Sequence, residues 1–252
     1  MNASNSSKTI AIVQVRMDST RLPGKALLPV LGKPLLAYLM ERLAKCRKLT
    51  DVILATSTET TDDPLSDFAQ LHHITLYRGS KDDVLGRFYG AAVQFSATAV
   101  VRITGDCPLM DPTLVDEVVE FGETGGADLA RNVIDQPNGF PRGMDVEYLR
   151  SSALEYLHKN FHQPEYREHV TLAAYKEKTP LNIQYYPAPS STGWDPHWRL
   201  CVDERADFEL VKEIIERLYP RKPEFTIDDI SQLLRDNPHL ATINASIGQK
   251  RT

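Results

Sequence analysis

The sequence has no apolar run long enough to cross a membrane and no run of basic residues. Its apolar stretches fall short of the about 18 residues that a membrane-spanning helix needs, and its polar start does not resemble a signal peptide. Lysine and arginine number 29 against 34 acidic residues, which gives a net charge of −5. We therefore expect no membrane partner and no nucleic-acid partner.

Cysteine is also scarce, and the three cysteines, Cys46, Cys107 and Cys201, are far apart in the chain. An odd number at this spacing fits neither a zinc site nor a disulfide framework. The sequence therefore predicts free thiols and, with them, a cytoplasmic location.

What the sequence does contain is enough apolar residues, 42% of the chain, for one globular domain. We predict a disordered tail at residues 1–8 and a single domain over residues 9–252. The apolar pattern predicts strands at Thr9–Val15, Asp51–Ser57, Ile74–Tyr77, Thr98–Thr104, Asp128–Asn132 and Arg199–Val202, and an edge strand or hairpin at Met144–Tyr148. It predicts helices at Lys33–Cys46, Pro64–Leu71, Asp82–Phe95, Ser152–Asn160, Pro164–Tyr175, Arg205–Leu218 and Ile227–Asp236.

This alternation of strands and helices predicts an α/β fold. Right-handed crossovers would give a three-layer sandwich, in which helices cover both faces of a mostly parallel central sheet. Ligands bind such sheets beside the carboxyl ends of the strands. The loop Arg16–Lys25 and the segment that begins at Gly105 both follow predicted strands, so they form the candidate site.

The loop after the first predicted strand carries three cations, Arg16, Arg21 and Lys25. Ser19 and Gly24 lie between them, and a small hydroxyl group and a glycine that admits backbone N–H groups complete a cradle for a polyphosphate. The glycine spacing is not that of a Walker loop. The same composition also fits a solvated surface loop, and the residues alone leave both interpretations open.

Two aspartates, Asp106 and Asp203, each follow a predicted strand. From that edge of the sheet both can reach one Mg2+ ion, which takes one or two carboxylates together with substrate oxygens. The alternatives are a turn residue for Asp106 and the N-cap of the helix near Arg205 for Asp203. Asp111, which precedes a proline, is predicted to cap a helix and is assigned no chemistry.

The irregular second half concentrates charge in two segments. The candidate acceptor-binding residues there are Arg142, Asp145, Glu147, Arg167 and His169. The same residues would also make surface ion pairs on a strand and a helix, and the sequence leaves this alternative open.

Seven blocks of the sequence, taken in order, resemble the cytidylyltransferase family, and within it the spore coat polysaccharide biosynthesis protein F group. The blocks are residues 15–25 (VRMDSTRLPGK), 32–34 (GKP), 78–85 (RGSKDDVL), 102–108 (RITGDCP), 143–147 (GMDVE), 167–170 (REHV) and 202–211 (VDERADFELV). Together they cover nearly the whole chain, which makes the resemblance more specific than any single motif.

The resemblance implies a glycosyltransferase-A-like fold of the nucleotide-diphospho-sugar-transferase type. It also implies a homodimer, with about residues 131–190 as an inserted part for dimerisation and acceptor binding. By position, it assigns triphosphate binding to Arg16, Arg21 and Lys25, Mg2+ binding to Asp106 and Asp203, and contacts to base and ribose to Arg78, Ser80 and Asp83.

The activity that the resemblance implies is the transfer of CMP from CTP to an acidic sugar or related acceptor, with release of pyrophosphate, in polysaccharide or glycan biosynthesis. The catalytic residues would be Arg16, Arg21, Lys25 and Asp106, acting by positioning and charge neutralisation. Gln14 and Thr104 depart from the octulosonate branch of the family, so the sequence does not name the acceptor.

Three alternatives remain at this point. A glycosyltransferase of the same fold would normally carry Asp-x-Asp after the fourth strand, where this chain has Gly105-Asp106-Cys107. A cytidylyltransferase that acts on a small phosphorylated compound would share every motif above. A catalytically silent nucleotide-binding protein would not need all three cations and both aspartates.

Overall fold

A seven-stranded sheet forms the centre of the protein in the computed structural model, which describes residues 7–132, 139–189 and 193–248. The strands in chain order are β1 (Thr9–Gln14), β2 (Pro29–Val30), β3 (Lys33–Pro34), β4 (Asp51–Ser57), β5 (Thr75–Gly79), β6 (Ala99–Thr104), β7 (Leu129–Arg131), β8 (Glu147–Arg150) and β9 (Ile183–Tyr185). β2 and β3 form a small antiparallel pair of their own. The other strands lie in the order β5-β4-β1-β6-β8-β7-β9.

The α-helices lie on both faces of this sheet. In chain order they are α1 (Leu35–Leu43), α2 (Asp63–Leu71), α3 (Val84–Gln94), α4 (Pro112–Thr124), α5 (Ser151–Asn160), α6 (Pro164–Glu168), α7 (Leu172–Lys176), α8 (Arg205–Leu218), α9 (Ile227–Asp236) and α10 (Pro238–Ala241). One apolar core includes side chains of α1, α4, α8 and α9, and the other includes side chains of α3, α5 and α7. The predicted three-layer α/β sandwich is therefore confirmed.

β1 lies in the middle of the sheet and has helices on both of its faces. Ile10 and Ile12 belong to one core and Ala11 and Val13 to the other, which explains the continuous apolar run. β1 pairs in parallel with both β4 and β6. The carboxyl ends of β1 and β6 are therefore adjacent, and the segments that follow them leave the sheet side by side.

Several predicted elements have the bounds that the sequence indicates. Asp51–Ser57, Arg205–Leu218 and Ile227–Asp236 match from end to end. Asp111 caps α4 as predicted, because its Oδ1 accepts a hydrogen bond of 2.8 Å from the Thr113 N–H. No helix among the described residues is both long and apolar enough to cross a membrane.

Other predicted elements are wrong in the second half. The single helix expected at Pro164–Tyr175 is two short helices, α6 and α7. The strand expected at Arg199–Val202 is only an isolated bridge between Arg199 and Arg142. β8 is an internal strand, because β6 and β7 pair with its two sides. α5 begins at Ser151, one residue before the predicted start, and the residue before it, Arg150, makes no side-chain capping hydrogen bond.

The predicted limits of the domain and of its inserted part stay predictions. Residues 1–6 of the expected tail lie outside the described ranges, as do residues 133–138 of the inserted part. Within the described residues, β7 and β8 belong to the central sheet, so this part of the chain completes the same layer as β1.

Candidate active site

Three charged side chains meet at the carboxyl edge of the sheet. The Lys25 ammonium lies between two carboxylates, 3.0 Å from Asp106 Oδ2 and 2.9 Å from Asp203 Oδ1. Burial by itself would lower the pKa of Lys25, but the charges of both carboxylates outweigh that effect and raise the pKa. Lys25 is therefore charged at neutral pH. Lys25, Asp106 and Asp203, which the sequence places beside the ends of strands, lie together.

Backbone hydrogen bonds hold these segments together. The Gly105 N–H donates to the Gln14 carbonyl at 2.8 Å, which joins the ends of β6 and β1. The Val202 N–H donates to the Asp106 carbonyl at 2.8 Å. The segment that carries Asp203 is thus fixed against the segment that carries Asp106, although it is not a strand.

The shape of the loop after β1 depends on Gly24 and Asp62, neither of which is positively charged. Gly24 has a φ of 68°, a conformation that favours glycine, and it precedes a short 3-10 helix whose first residue is Lys25. Asp62 is 1% exposed and accepts a hydrogen bond of 2.7 Å from the Met17 N–H. Burial would raise the pKa of Asp62, but hydrogen bonds from Met17 and Ser57 lower it. No pattern in the sequence indicated Asp62, because Met17, the loop residue that it holds, is distant in the chain.

Arg21 extends the cluster toward solvent. Its guanidinium lies 3.2 Å from Asp203 Oδ1 and 3.2 Å from Glu204 Oε1. Burial would raise the pKa of Asp203, but the charges of Lys25, Arg21 and Arg199 hold it well below its usual range. Asp203 is not the helix N-cap that the sequence allowed, because Glu204 takes that place in α8.

Arg16 and Ser19 lie in the same loop but have other partners. Arg16 pairs with Asp18 at 3.4 Å and donates to the Lys81 carbonyl at 3.2 Å. Ser19 Oγ accepts a hydrogen bond of 3.4 Å from the Leu22 N–H. Arg16 therefore joins the loop to the segment before α3, and its role toward a triphosphate stays a prediction, as does that of Ser19.

The residues expected to contact base and ribose hold local structure. Arg78 on β5 donates to two carbonyls of the segment 57–63 at 2.8 Å each and pairs with a carboxylate there. Ser80 Oγ accepts a hydrogen bond from the Asp83 N–H at 3.1 Å. Asp83 caps α3 by accepting from the Gly86 N–H at 2.7 Å. Their contacts to a nucleotide stay predictions.

The expected acceptor residues fall into separate groups. Arg167 pairs with Asp83, which fastens α6 to the start of α3. His169 follows α6 directly. Arg142 is exposed, and Asp145 accepts a hydrogen bond of 3.3 Å from the Gly143 N–H. Burial raises the pKa of Asp145, against the opposite effect of Arg142.

Glu147 on β8 is the centre of a buried ionic cluster. It pairs with Arg102 at 2.7 Å and with Arg131 at 3.5 Å, and it accepts hydrogen bonds from Thr171 and Tyr175. Burial would raise the pKa of Glu147, but the two guanidinium charges outweigh that effect and lower it. The sequence did not indicate Arg102 or Arg131 as partners, since no spacing pattern connects them.

Two carboxylates that face an ammonium form a donor set suited to a hard cation. Among the described residues, no three or more His, Cys, Asp or Glu side chains gather as a metal site. Mg2+ takes one or two carboxylates and completes its shell with water and phosphate oxygens, so Asp106 and Asp203 are the residues that could hold such an ion. They do not fit a structural zinc site, which needs four protein ligands.

The fold and this site together define an α/β nucleotidyltransferase, with cations and carboxylates where the strands of the sheet end. The chain belongs to the cytidylyltransferase family, whose sequence model, described as Cytidylyltransferase, matches residues 10–234.

Individual relatives agree with the family. The chain is 30% identical to the spore coat polysaccharide biosynthesis protein SpsF of Bacillus subtilis, over 92% of this chain and 95% of that protein. It is similar to the structure of a cytidylyltransferase from Leptospira borgpetersenii, with a TM-score of 0.86, 30% identity, and coverage of 97% of this chain and 100% of that one. A CMP:2-keto-3-deoxy-manno-octonic acid synthetase complexed with CTP shares the fold, with a TM-score of 0.63, 18% identity, and coverage of 84% and 99%.

Proposed function

We propose that this protein transfers the CMP group of CTP to an acidic sugar or a related acidic acceptor, with Mg2+ as its cofactor and pyrophosphate as the second product. The observation that carries the proposal is the Lys25 ammonium held 2.9–3.0 Å from Asp106 and Asp203, beside Arg21. Membership of the cytidylyltransferase family supports the choice of nucleotide.

The biological setting we propose is the synthesis of a surface polysaccharide or a glycan precursor, in the cytoplasm. The name of the Bacillus relative supports the polysaccharide, and the synthetase with CTP supports a sugar acid as acceptor. The cluster around Glu147 also supports an acidic acceptor, because two guanidinium groups there face one carboxylate. We further propose a homodimer in which residues 131–190 contribute to dimerisation and acceptor binding.

The chemistry follows from the charges at the site. An oxygen of the acceptor attacks the α-phosphorus of CTP and gives up its proton to solvent, the bond between that phosphorus and the β-phosphate oxygen breaks, and pyrophosphate leaves with that electron pair. Lys25, Arg21 and Arg16 bind the triphosphate and stabilise the charge that grows on the leaving group. Asp106 and Asp203 would hold Mg2+, which when bound neutralises phosphate charge and lowers the pKa of a coordinated hydroxyl.

A glycosyltransferase of the same fold is the main alternative. Its metal would normally be held by Asp-x-Asp, whereas here the second carboxylate near Lys25 comes from Asp203. The three cations of the loop 16–25 also favour a triphosphate over the diphosphate of a sugar nucleotide.

Pyrophosphate release tests the proposal. The purified protein is incubated with Mg2+, with each of CTP, UTP, ATP and GTP in turn, and with octulosonic, nonulosonic, and smaller phosphorylated or carboxylated acids. We expect release from CTP with at least one acidic sugar. Lys25→Ala and Asp106→Asn should each lower turnover by about a hundredfold or more, because each removes a charge used at the reacting phosphate.

Lys33→Ala is the matched control for Lys25→Ala. Lys33 is also a partly buried lysine in an ion pair, 2.8 Å from Glu41, but it lies outside the site. We expect its turnover to stay near that of the wild-type protein. Release from every nucleotide equally, release from none, or full activity in Lys25→Ala would each contradict the proposed function.

A further inference from the structure

The two carboxylate oxygens of Asp203 face different partners. Oδ1 lies 2.9 Å from the Lys25 ammonium and 3.2 Å from Arg21, at the proposed metal and triphosphate site. Oδ2 accepts a hydrogen bond of 2.6 Å from Arg199, which is buried. A contact of this length to a guanidinium fixes the rotation of the carboxylate, so the partners of Arg199 decide where Oδ1 points.

Asp207 is the principal anchor of Arg199. It is fully buried and accepts the Nε–H of Arg199 at 2.9 Å. It also accepts the backbone N–H groups of Asp203 and Glu204, at 3.0 Å and 2.9 Å. A buried carboxylate with this many donors holds both the side chain behind Asp203 and the backbone of Asp203 itself.

Asn244, near the carboxyl-terminal end of the described residues, contacts both Arg199 and Asp207. Its side-chain amide donates to Asp207 Oδ1 at 2.9 Å and to the Arg199 carbonyl at 2.8 Å, and the residue is 3% exposed. Leu240, 2% exposed, anchors the segment that carries it. Asn244 lies beyond residue 234, where the match to the family ends.

We propose that Asn244 is a positioning residue of the active site, which acts through Arg199 and Asp207 to aim Asp203 Oδ1 at the metal and the triphosphate. The inference rests on the proposed function, because it concerns the ligand that Asp203 would bind. One amide donates to both Asp207 and the backbone of Arg199, so its loss frees the two residues that orient Asp203. The segment after α9 therefore belongs to the catalytic machinery, although it contributes no group that touches the reacting atoms.

Binding of Mn2+ in the presence of CTP tests the proposal without relying on turnover. The affinity of the full-length protein for Mn2+ is measured by electron paramagnetic resonance at saturating CTP, for the wild type, Asn244→Ala and Asn244→Ser. We expect Asn244→Ala to weaken Mn2+ binding by about tenfold, the lower end of the effect of losing a direct partner of a metal ligand, because Asn244 reaches Asp203 only through Arg199 and Asp207. Asn244→Ser keeps one hydroxyl donor, so its Mn2+ affinity should lie between those of the wild type and Asn244→Ala. If Asn244→Ala does not fold, Asn244→Ser provides the test.

Asn237→Ala is the matched control. The Asn237 amide donates to the Leu233 carbonyl at 3.0 Å in a partly buried hydrogen bond. The variant therefore also loses a side-chain hydrogen bond in the same region, but that bond does not connect to Asp203. We expect its melting temperature to fall while its Mn2+ affinity stays at the wild-type value. A purely structural role for Asn244 would give this same result.

The outcomes separate the inference from the function on which it rests. Wild-type protein that binds no Mn2+ with CTP would overturn the proposed function and the inference with it. Wild-type binding together with equal binding in both Asn244 variants would overturn the inference alone. Wild-type binding that weakens in the Asn244 variants and not in Asn237→Ala would support both.

Discussion

Lys25 occupies the place between two carboxylates that a divalent cation would also favour. Its ammonium is in contact with Asp106 and Asp203, and their charges raise its pKa in spite of burial. A metal ion that enters this space meets an ammonium already there. Binding of metal and nucleotide should therefore be coupled, because a triphosphate gives Lys25 an alternative anionic partner.

This coupling predicts an unusual direction for one substitution. Lys25→Met removes the competing charge and keeps the length of the side chain, so Mn2+ binding without nucleotide should become about tenfold tighter while turnover is lost. Titration of Mn2+ into nucleotide-free protein measures the affinity. Lys33→Met provides the control and should bind Mn2+ as the wild type does. Unchanged or weaker binding in Lys25→Met would show that the ammonium does not compete with the metal.

At the residue scale, the sequence predicted which groups meet but not what supports them. The cations of the loop and Asp106 follow strands, and the geometry of a parallel sheet brings such positions together. Asp62, Asp207 and Asn244 act through partners that are distant in sequence, or through bonds that no spacing pattern marks. Their roles exist only in the folded chain.

At the scale of elements, the site depends on how closely β1 and β6 approach. A Cβ added to Gly105 would lie 2.8 Å from Val15 Cβ and 3.2 Å from the Gln14 carbonyl oxygen, closer than side chains pack. Glycine is therefore required where β6 ends, and its backbone sets the position of Asp106.

Gly105→Ala should push the two strand ends apart. We expect a loss of about 1–3 kcal/mol in the free energy of unfolding, as for other overpacked positions, and a fall in turnover of about tenfold or more because Asp106 is displaced. Denaturant unfolding and pyrophosphate release measure the two effects. Gly248→Ala, at a glycine with no atom within 4 Å of the added Cβ, should change neither. Wild-type behaviour of Gly105→Ala would contradict the tight approach.

The elements that the sequence predicted well are those with a strong internal pattern. α8 and α9 each have a capping box at the start and an apolar stripe along the helix, so their limits are encoded locally. The expected helix at Pro164–Tyr175 breaks before Leu172, where the Thr171 hydroxyl bonds to Glu147 on β8. That contact comes from the tertiary fold and leaves no trace in the local sequence.

At the scale of the whole molecule, the two halves of the sheet differ in how directly they can be derived. The first half repeats strand and helix, and its order follows from parallel pairing and right-handed crossovers. The second half contains the antiparallel β8 between β6 and β7, together with the short edge strand β9. Glu147, expected to bind an acceptor, lies in this second half in a buried cluster with Arg102 and Arg131. Because no sequence pattern indicated those two partners, the acceptor site is the part of the protein that the sequence specifies least.

The proposed function requires that Asp106 and Asp203 hold the metal that accompanies CTP. The most direct measurement is anomalous X-ray diffraction from a crystal of the full-length protein grown with Mn2+ and CTP. We expect an anomalous peak in contact with both carboxylates, and the Lys25 ammonium on a phosphate oxygen rather than between them. A peak elsewhere, or CTP bound with no metal at these two aspartates, would contradict it.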